Sequence, residues 1–221
     1  IKITYVLMWI GSLALAGIPL FAGYYSKDMI LEAAYADASS HGLFAFWIGI
    51  IAALMTAFYS WRLLFMTFHG TTRADDHVMA HIHESPRVML YPLYILAIGA
   101  IISGAVLYGG FVGESHNGDY SSAKLESESS ESESSDQWNR TVFWNDSLFV
   151  LPENDTVHKA HSVPTWVKKI PVAAGVIGIL LAWVFYIRLT SLPAKLAQSV
   201  RPVYRFLFRK WYFDEIYQLV F

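Results

Sequence analysis

The chain has 221 residues, of which 55% are hydrophobic, 16% aromatic and only 15% charged, against roughly 25% charged in ordinary soluble domains. This composition all but excludes a soluble globule. The 16 Lys and Arg and 18 Asp and Glu leave a formal net charge of -2, with no sign of the uniformly basic face that nucleic-acid binding needs. With no cysteine, a disulfide scaffold, a Cys-based zinc site, an iron–sulfur cluster and a thiol nucleophile are excluded too.

Four long stretches carry no charge: Ile3–Ser26, Ala38–Trp61, Val88–Gly113 and Ile170–Ile187. Each reaches the length needed to cross a hydrocarbon core of roughly 30 Å, about 20 helical residues. Lipid offers the backbone no hydrogen-bond partners, so a crossing segment is a helix or part of a closed barrel, and continuous apolarity favours helices. The expected fold is therefore all-α, a polytopic transmembrane helical bundle of four spans.

Residues 1–36 form the first unit. Ile1 stands where an initiator Met would, and Lys2 is the single charge before the first apolar run, so a cleaved signal peptide is not expected. Apolar character resumes over Met29–Ala36, and one helix from Thr4 to Ala36 would be about 50 Å long. A break or tilt is expected, with Gly17, Pro19 and Gly23 as its candidates, because proline removes a donor and clashes with the preceding turn while glycine relaxes the backbone.

The ionisable pair Lys27 and Asp28 follows directly. An ionisable residue beside a broken membrane helix points to an ion or proton site, and a desolvated lysine can give up and regain its proton. Spacing equally allows a second reading: residues 3–25 already span, Lys27 reaches the far interface, and Asp28 caps a short helix.

The second span covers residues 41–68. Arg62 lies inside it, six residues from Phe68 and so about 9 Å along a helix, which lets it reach the inner surface; a buried charge paired with a partner is the alternative. Residues 69–86 form a His-rich loop, where His77, His81 and His83 read as solvated side chains. His77 and His81 would share a face if the segment were helical, but no second ligand cluster supports a metal site. Residues 87–113 make the third span.

Residues 114–169 carry 10 of the 18 acidic side chains, and Ser121–Ser135 holds eight Ser and four Glu, a composition read as a solvated, disordered loop. Asn-x-Ser/Thr triplets start at Asn139, Asn145 and Asn154; they matter only on a eukaryotic secretory route. The fourth span is expected over residues 170–190 and a basic amphipathic segment over 191–221. Arg188, Lys195, Arg201, Arg205, Arg209 and Lys210 cluster there, which places the C-terminus in the cytoplasm with the 69–86 loop and leaves the acidic loop outside. Lys168 and Lys169 run against that charge rule, mildly. Basic residues spaced by four among Phe206, Leu207, Trp211 and Phe213 suit an interfacial helix over residues 202–221. Gly11, Gly99 and Gly104, with Gly17 and Gly23, form no phosphate loop and are expected to serve helix packing. No Ser-His-Asp or Cys-His set is present.

The stretch GSLALAGIPLFAGYYSKDMIL, Gly11 to Leu31, strongly resembles the large antiporter-like membrane subunit of respiratory complex I, the NADH:quinone oxidoreductase chain L family. Three further matches follow in order: FYSWRLLFMTFHG from Phe58 to Gly70, HIHESP from His81 to Pro86, and KWYFDEIYQLVF from Lys210 to Phe221. The first motif is shared with related ion-translocating subunits; the last is more specific to chain L. The resemblance implies a C-terminal piece of a longer subunit, from its discontinuous twelfth helix through its fifteenth, without the earlier helices that supply the rest of the proton path.

By that resemblance Lys27 matches the lysine of the broken helix near the outlet of the path, where the sister subunit carries Glu, and Asp28 matches its acidic neighbour. The implied role is proton translocation, as part of a translocase, driven by redox chemistry elsewhere. No redox centre, cofactor or metal is expected in this chain; NADH, FMN, iron–sulfur clusters and quinone belong to partner subunits. Expected partners are other complex I membrane subunits, particularly the adjacent antiporter-like subunit, and the lipid bilayer of a bacterial inner membrane or, second, a mitochondrial one. The alternatives are the corresponding subunit of a multisubunit sodium/proton antiporter or membrane-bound hydrogenase, and a structural membrane segment without a proton role.

Overall fold

The computed structural model describes residues 1–70, 72, 74–112, 143–144, 147–148 and 156–220; most of the acidic loop, including Ser121–Ser135 and the three Asn-x-Ser/Thr asparagines, lies outside the described residues. Among those described, every regular element is helical, as continuous apolarity demands. Among the described residues, three helices are long and apolar enough to cross a membrane: Ser40–Phe68, Arg87–Val112 and Thr165–Arg188.

The first apolar stretch is not one helix. α1 covers Lys2–Ala16 and α2 covers Ala22–Ala36, each about 22 Å long and too short to cross alone. Gly17 ends α1 in the left-handed conformation, φ 76° and ψ 39°. Its N–H donates to the Ala14 carbonyl at 3.2 Å, and Ile18 N–H donates to the Leu13 carbonyl at 3.3 Å. This is the paired closure that glycine permits at a helix C-terminus. Pro19 then keeps Ile18 from continuing the helix, and Leu20 takes φ 85° before α2 starts. The break is confined to residues 17–21. Gly23, expected at the break, instead sits inside α2, where it is needed for a different reason: a Cβ there would collide with the Ala14 carbonyl oxygen of α1. The two half-helices therefore touch backbone to backbone.

Ser39 caps α3 (Ser40–Phe68), its Oγ accepting from Gly42 N–H at 3.0 Å. A five-residue helix, α4 (Asp76–Ala80), interrupts the His-rich loop, and α5 covers Arg87–Val112. Glu84 ties that loop to α1, accepting from Ile3 N–H at 2.8 Å and from the Thr4 hydroxyl at 2.9 Å. After the long loop come α6 (Thr156–His161) and α7 (Thr165–Trp183), which runs on into a π turn over Val184–Arg188. α7 begins five residues earlier than the apolar run that starts at Ile170, because Pro164 starts it and Lys168 and Lys169 lie within its first turns.

α3 packs most extensively on α7. Gly178 allows it, since a Cβ there would stand 2.5 Å from the Leu54 carbonyl oxygen and 2.9 Å from Ala57 Cβ. Gly104 of α5 meets α2 in the same way, at Ala22 Cα, whereas Gly11 and Gly99 have nothing within 4 Å. Close approach through small residues replaces the hydrophobic drive that lipid cannot supply. Two apolar clusters result, one around Leu31, Phe46 and Val167, the other around Trp61, Leu64 and Ala182.

The C-terminal segment departs from the expected single helix. It forms α8 (Leu192–Ser199), α9 (Arg201–Phe208) and α10 (Phe213–Val220). Lys210, Trp211 and Tyr212 all have positive φ, between 49° and 63°, and three left-handed residues in succession cannot continue a right-handed helix. Phe206 packs at a tilt against Trp211 and Tyr212 across this turn, with centroids 5.1 and 6.1 Å away, and Lys210 Nζ donates to Asp214 at 2.9 Å.

Candidate functional site

The site grows from the broken helix. α1 ends with backbone carbonyls that have no intrahelical partner and carry the negative end of its dipole. Lys27, in the second turn of α2, reaches back to them, and its Nζ donates to the Leu15 carbonyl at 3.0 Å. Lys27 packs against Gly17, where a Cβ would stand at van der Waals distance, 3.4 Å from Lys27 Nζ, and it is the left-handed φ of 76° that favours glycine. The lysine ammonium thus caps the helix that Gly17 terminates.

Asp28 does not pair with its neighbour. Consecutive helical side chains diverge by about 100°, and while Lys27 turns to α1, Asp28 turns inward. Its exposure is 6%, and its Oδ2 finds no hydrogen-bond partner among the described residues. An unpaired buried carboxylate is costly, so such a group holds a proton, a water or a partner. Beside it lies a cavity of about 250 Å³, lined in part by Tyr24, Tyr25, Asp28, Glu32, His161 and Lys168. Glu32, one turn further along α2, is 7% exposed.

α6 and α7 close the other side. His161 Nε2 lies 2.8 Å from the Val112 carbonyl at the end of α5, and because a carbonyl only accepts, Nε2 carries the hydrogen. Lys168 Nζ donates to the His161 carbonyl at 3.0 Å, fastening α6 to the first turns of α7. Glu32, His161 and Lys168 were not among the residues the sequence singled out. Glu32 had a usable signal, the four-residue spacing from Asp28 that stacks both on one helix face; His161 and Lys168 had none, because a long loop separates them from α2.

The remaining candidates lie elsewhere. Arg62 is exposed within this chain, its guanidinium carbon 5.5 Å from the Tyr186 ring centroid, so here it is not a buried charge but a cation over an aromatic face. His77 of α4 and His81 at its C-terminal cap lie side by side, their ring centroids 4.6 Å apart, with His81 Nδ1 2.7 Å from the His77 carbonyl. Among the described residues, no group of three or more His, Asp or Glu is placed to hold a metal ion.

Residues 1–56, which contain both half-helices and Lys27, match a family described as NADH:quinone oxidoreductase/Mrp antiporter, TM. All of the chain is similar to NADH-quinone oxidoreductase subunit L of Rhodobacter capsulatus, 38% identical over 263 residues and 36% of that protein's length. It is also 37% identical to NADH-ubiquinone oxidoreductase chain 5 of Phytophthora infestans, over 97% of this chain and 29% of the relative. The corresponding chain 5 of Marchantia polymorpha is 32% identical over the same shares. The chain thus spans about a third of the length of the curated relatives it matches.

Proposed function

Because the chain belongs to the family of antiporter-like membrane subunits of NADH:quinone oxidoreductase, we propose that it supplies part of a proton path, with Lys27 as its proton-carrying group and Asp28 as the acidic neighbour. The observation that carries this reading is the ammonium of Lys27 held on the open end of a broken membrane helix, next to a buried carboxylate at a cavity lined by further ionisable side chains. A helix end can stabilise the charged amine without a full counter-charge, while partial desolvation leaves the neutral amine accessible. The amine can therefore accept and release a proton in turn.

In this reading, electron transfer from NADH to quinone takes place in partner subunits, which hold the FMN and iron–sulfur clusters, and the chain itself moves protons only. The entry and central groups of the path belong to the earlier helices of the longer subunit. Purification through a tag on the full subunit tests the assembly: flavin- and iron–sulfur-bearing subunits that oxidise NADH should co-purify. Recovery of an ion antiporter assembly without NADH oxidation would instead support the antiporter alternative.

The proposed orientation puts residues 114–169 on the outer side of the membrane and residues 69–86 and the C-terminus on the cytoplasmic or matrix side. A cysteine-free chain makes the test clean. An impermeant thiol reagent is expected to label Ser162→Cys from outside and Thr72→Cys from inside in sealed vesicles, both being exposed positions. The reverse pattern would invert the topology.

A further inference from the structure

We propose that Glu32 and His161 extend the proton path beyond Asp28, across the cavity between α2, α6 and α7, to the membrane face that carries the 114–169 loop. The inference rests on the proton-path reading of Lys27 and Asp28 and names the groups that follow them. Two features of the cavity make it more than a cluster of charges. Asp28, only 6% exposed, lines it and carries a buried oxygen, Oδ2, with no hydrogen-bond partner among the described residues. The cavity, at about 250 Å³, has ionisable side chains in its lining and room for several waters at about 30 Å³ each.

The order of groups follows from the fold. Glu32 stands one turn, about 6 Å, beyond Asp28 on the same face of α2, towards the α2–α3 turn and away from the broken end. His161 lies across the cavity and is only half-buried. Its Nε2–H is committed to the Val112 carbonyl, so Nδ1 is the basic atom of the neutral ring. Lys168 positions it, through the His161 carbonyl at 3.0 Å, and places a fixed positive charge beside Glu32 in the same cavity.

The transfers balance without any change of oxidation state. The Asp28 carboxyl gives its proton to a cavity water, which passes one to the Glu32 carboxylate; the Glu32 carboxyl then protonates His161 Nδ1, and the imidazolium releases that proton to the solvent. These steps restore Glu32 and the neutral ring, and the next proton arriving through Lys27 restores the Asp28 carboxyl.

The test uses the assembled enzyme in sealed membrane vesicles, measuring NADH-driven proton translocation per assembled complex. Glu32→Gln keeps the shape without a titratable oxygen, and His161→Gln keeps an N–H donor for Val112 without a basic nitrogen. Each is expected to lower translocation several-fold, as is Lys27→Ala, while Glu32→Asp, which keeps a carboxyl, is expected to recover most of it. A merely structural role for Glu32 predicts wild-type translocation in His161→Gln. Wild-type translocation by Glu32→Gln and His161→Gln beside a defective Lys27→Ala would overturn the relay and leave the reading of Lys27 intact; wild-type translocation by Lys27→Ala would remove that reading and the relay with it. If Glu32→Gln fails to assemble, His161→Gln decides alone: wild-type translocation overturns the relay, and a several-fold loss supports it.

Discussion

Replacing Gly23 by alanine is expected to remove most of the assembled protein. A single Cβ at this position lands on the Ala14 carbonyl oxygen, which is backbone and cannot rotate away as the end of a side chain would. α1 and α2 must then separate, and overpacking of a close contact costs about 1–3 kcal/mol, with larger side chains costing more. The propensity gain of alanine over glycine in a helix, about 1 kcal/mol, works in the opposite direction and is too small to compensate in full. The displacement reaches the site at once, because Ala14 is the residue before Leu15, whose carbonyl holds Lys27 at 3.0 Å. Subunit content of purified membranes and heat stability of the extracted complex measure the effect. Wild-type values for Gly23→Ala would mean that the half-helices do not approach as closely as their backbones indicate.

The elements that could be read from the sequence are those whose signal is local. Long apolar runs identify membrane helices because lipid makes every backbone group pair within its own segment. The break at Gly17 and Pro19 was legible for a similar reason, since both residues restrict or relax their own backbone. Gly23 was misplaced because its role is set by Ala14, nine residues back, across a turn whose shape the sequence does not spell out. The start of α7 was placed late because Lys168 and Lys169 look like a boundary, although one of them turns its amine to the His161 carbonyl. The left-handed turn at Lys210–Tyr212 has no glycine to announce it; aromatic packing around Phe206 accompanies it.

The candidate site divides along the same line. Lys27 and Asp28 stood out because charge is rare within the apolar stretches, so each such residue is a signal by itself. Their divergence, one to the end of α1 and the other to the cavity, follows from helical geometry but needs the neighbouring elements to acquire meaning. His161 and Lys168 belong to the site only through tertiary contact, and the composition of the loop before them carries no mark of it.

The central claim is that the amine of Lys27 must lose and regain a proton. Lys27→Ala removes both the proton site and the cap on α1. Lys27→Arg keeps a permanent positive charge and donors long enough to reach the Leu15 carbonyl, but a guanidinium does not deprotonate in proteins. A role limited to charge or to anchoring predicts that arginine substitutes for lysine, since either head group reaches an interface. A proton-carrying role predicts that both variants fail, with translocation reduced on the order of tenfold, since positioned proton carriers contribute at least that much.

The decisive measurement is proton translocation by the assembled Lys27→Arg enzyme in sealed vesicles oxidising NADH, with assembly and quinone-linked electron transfer scored on the same preparation. The account predicts full assembly and a loss of translocation close to that of Lys27→Ala; normal translocation by the fully assembled Lys27→Arg enzyme would contradict it.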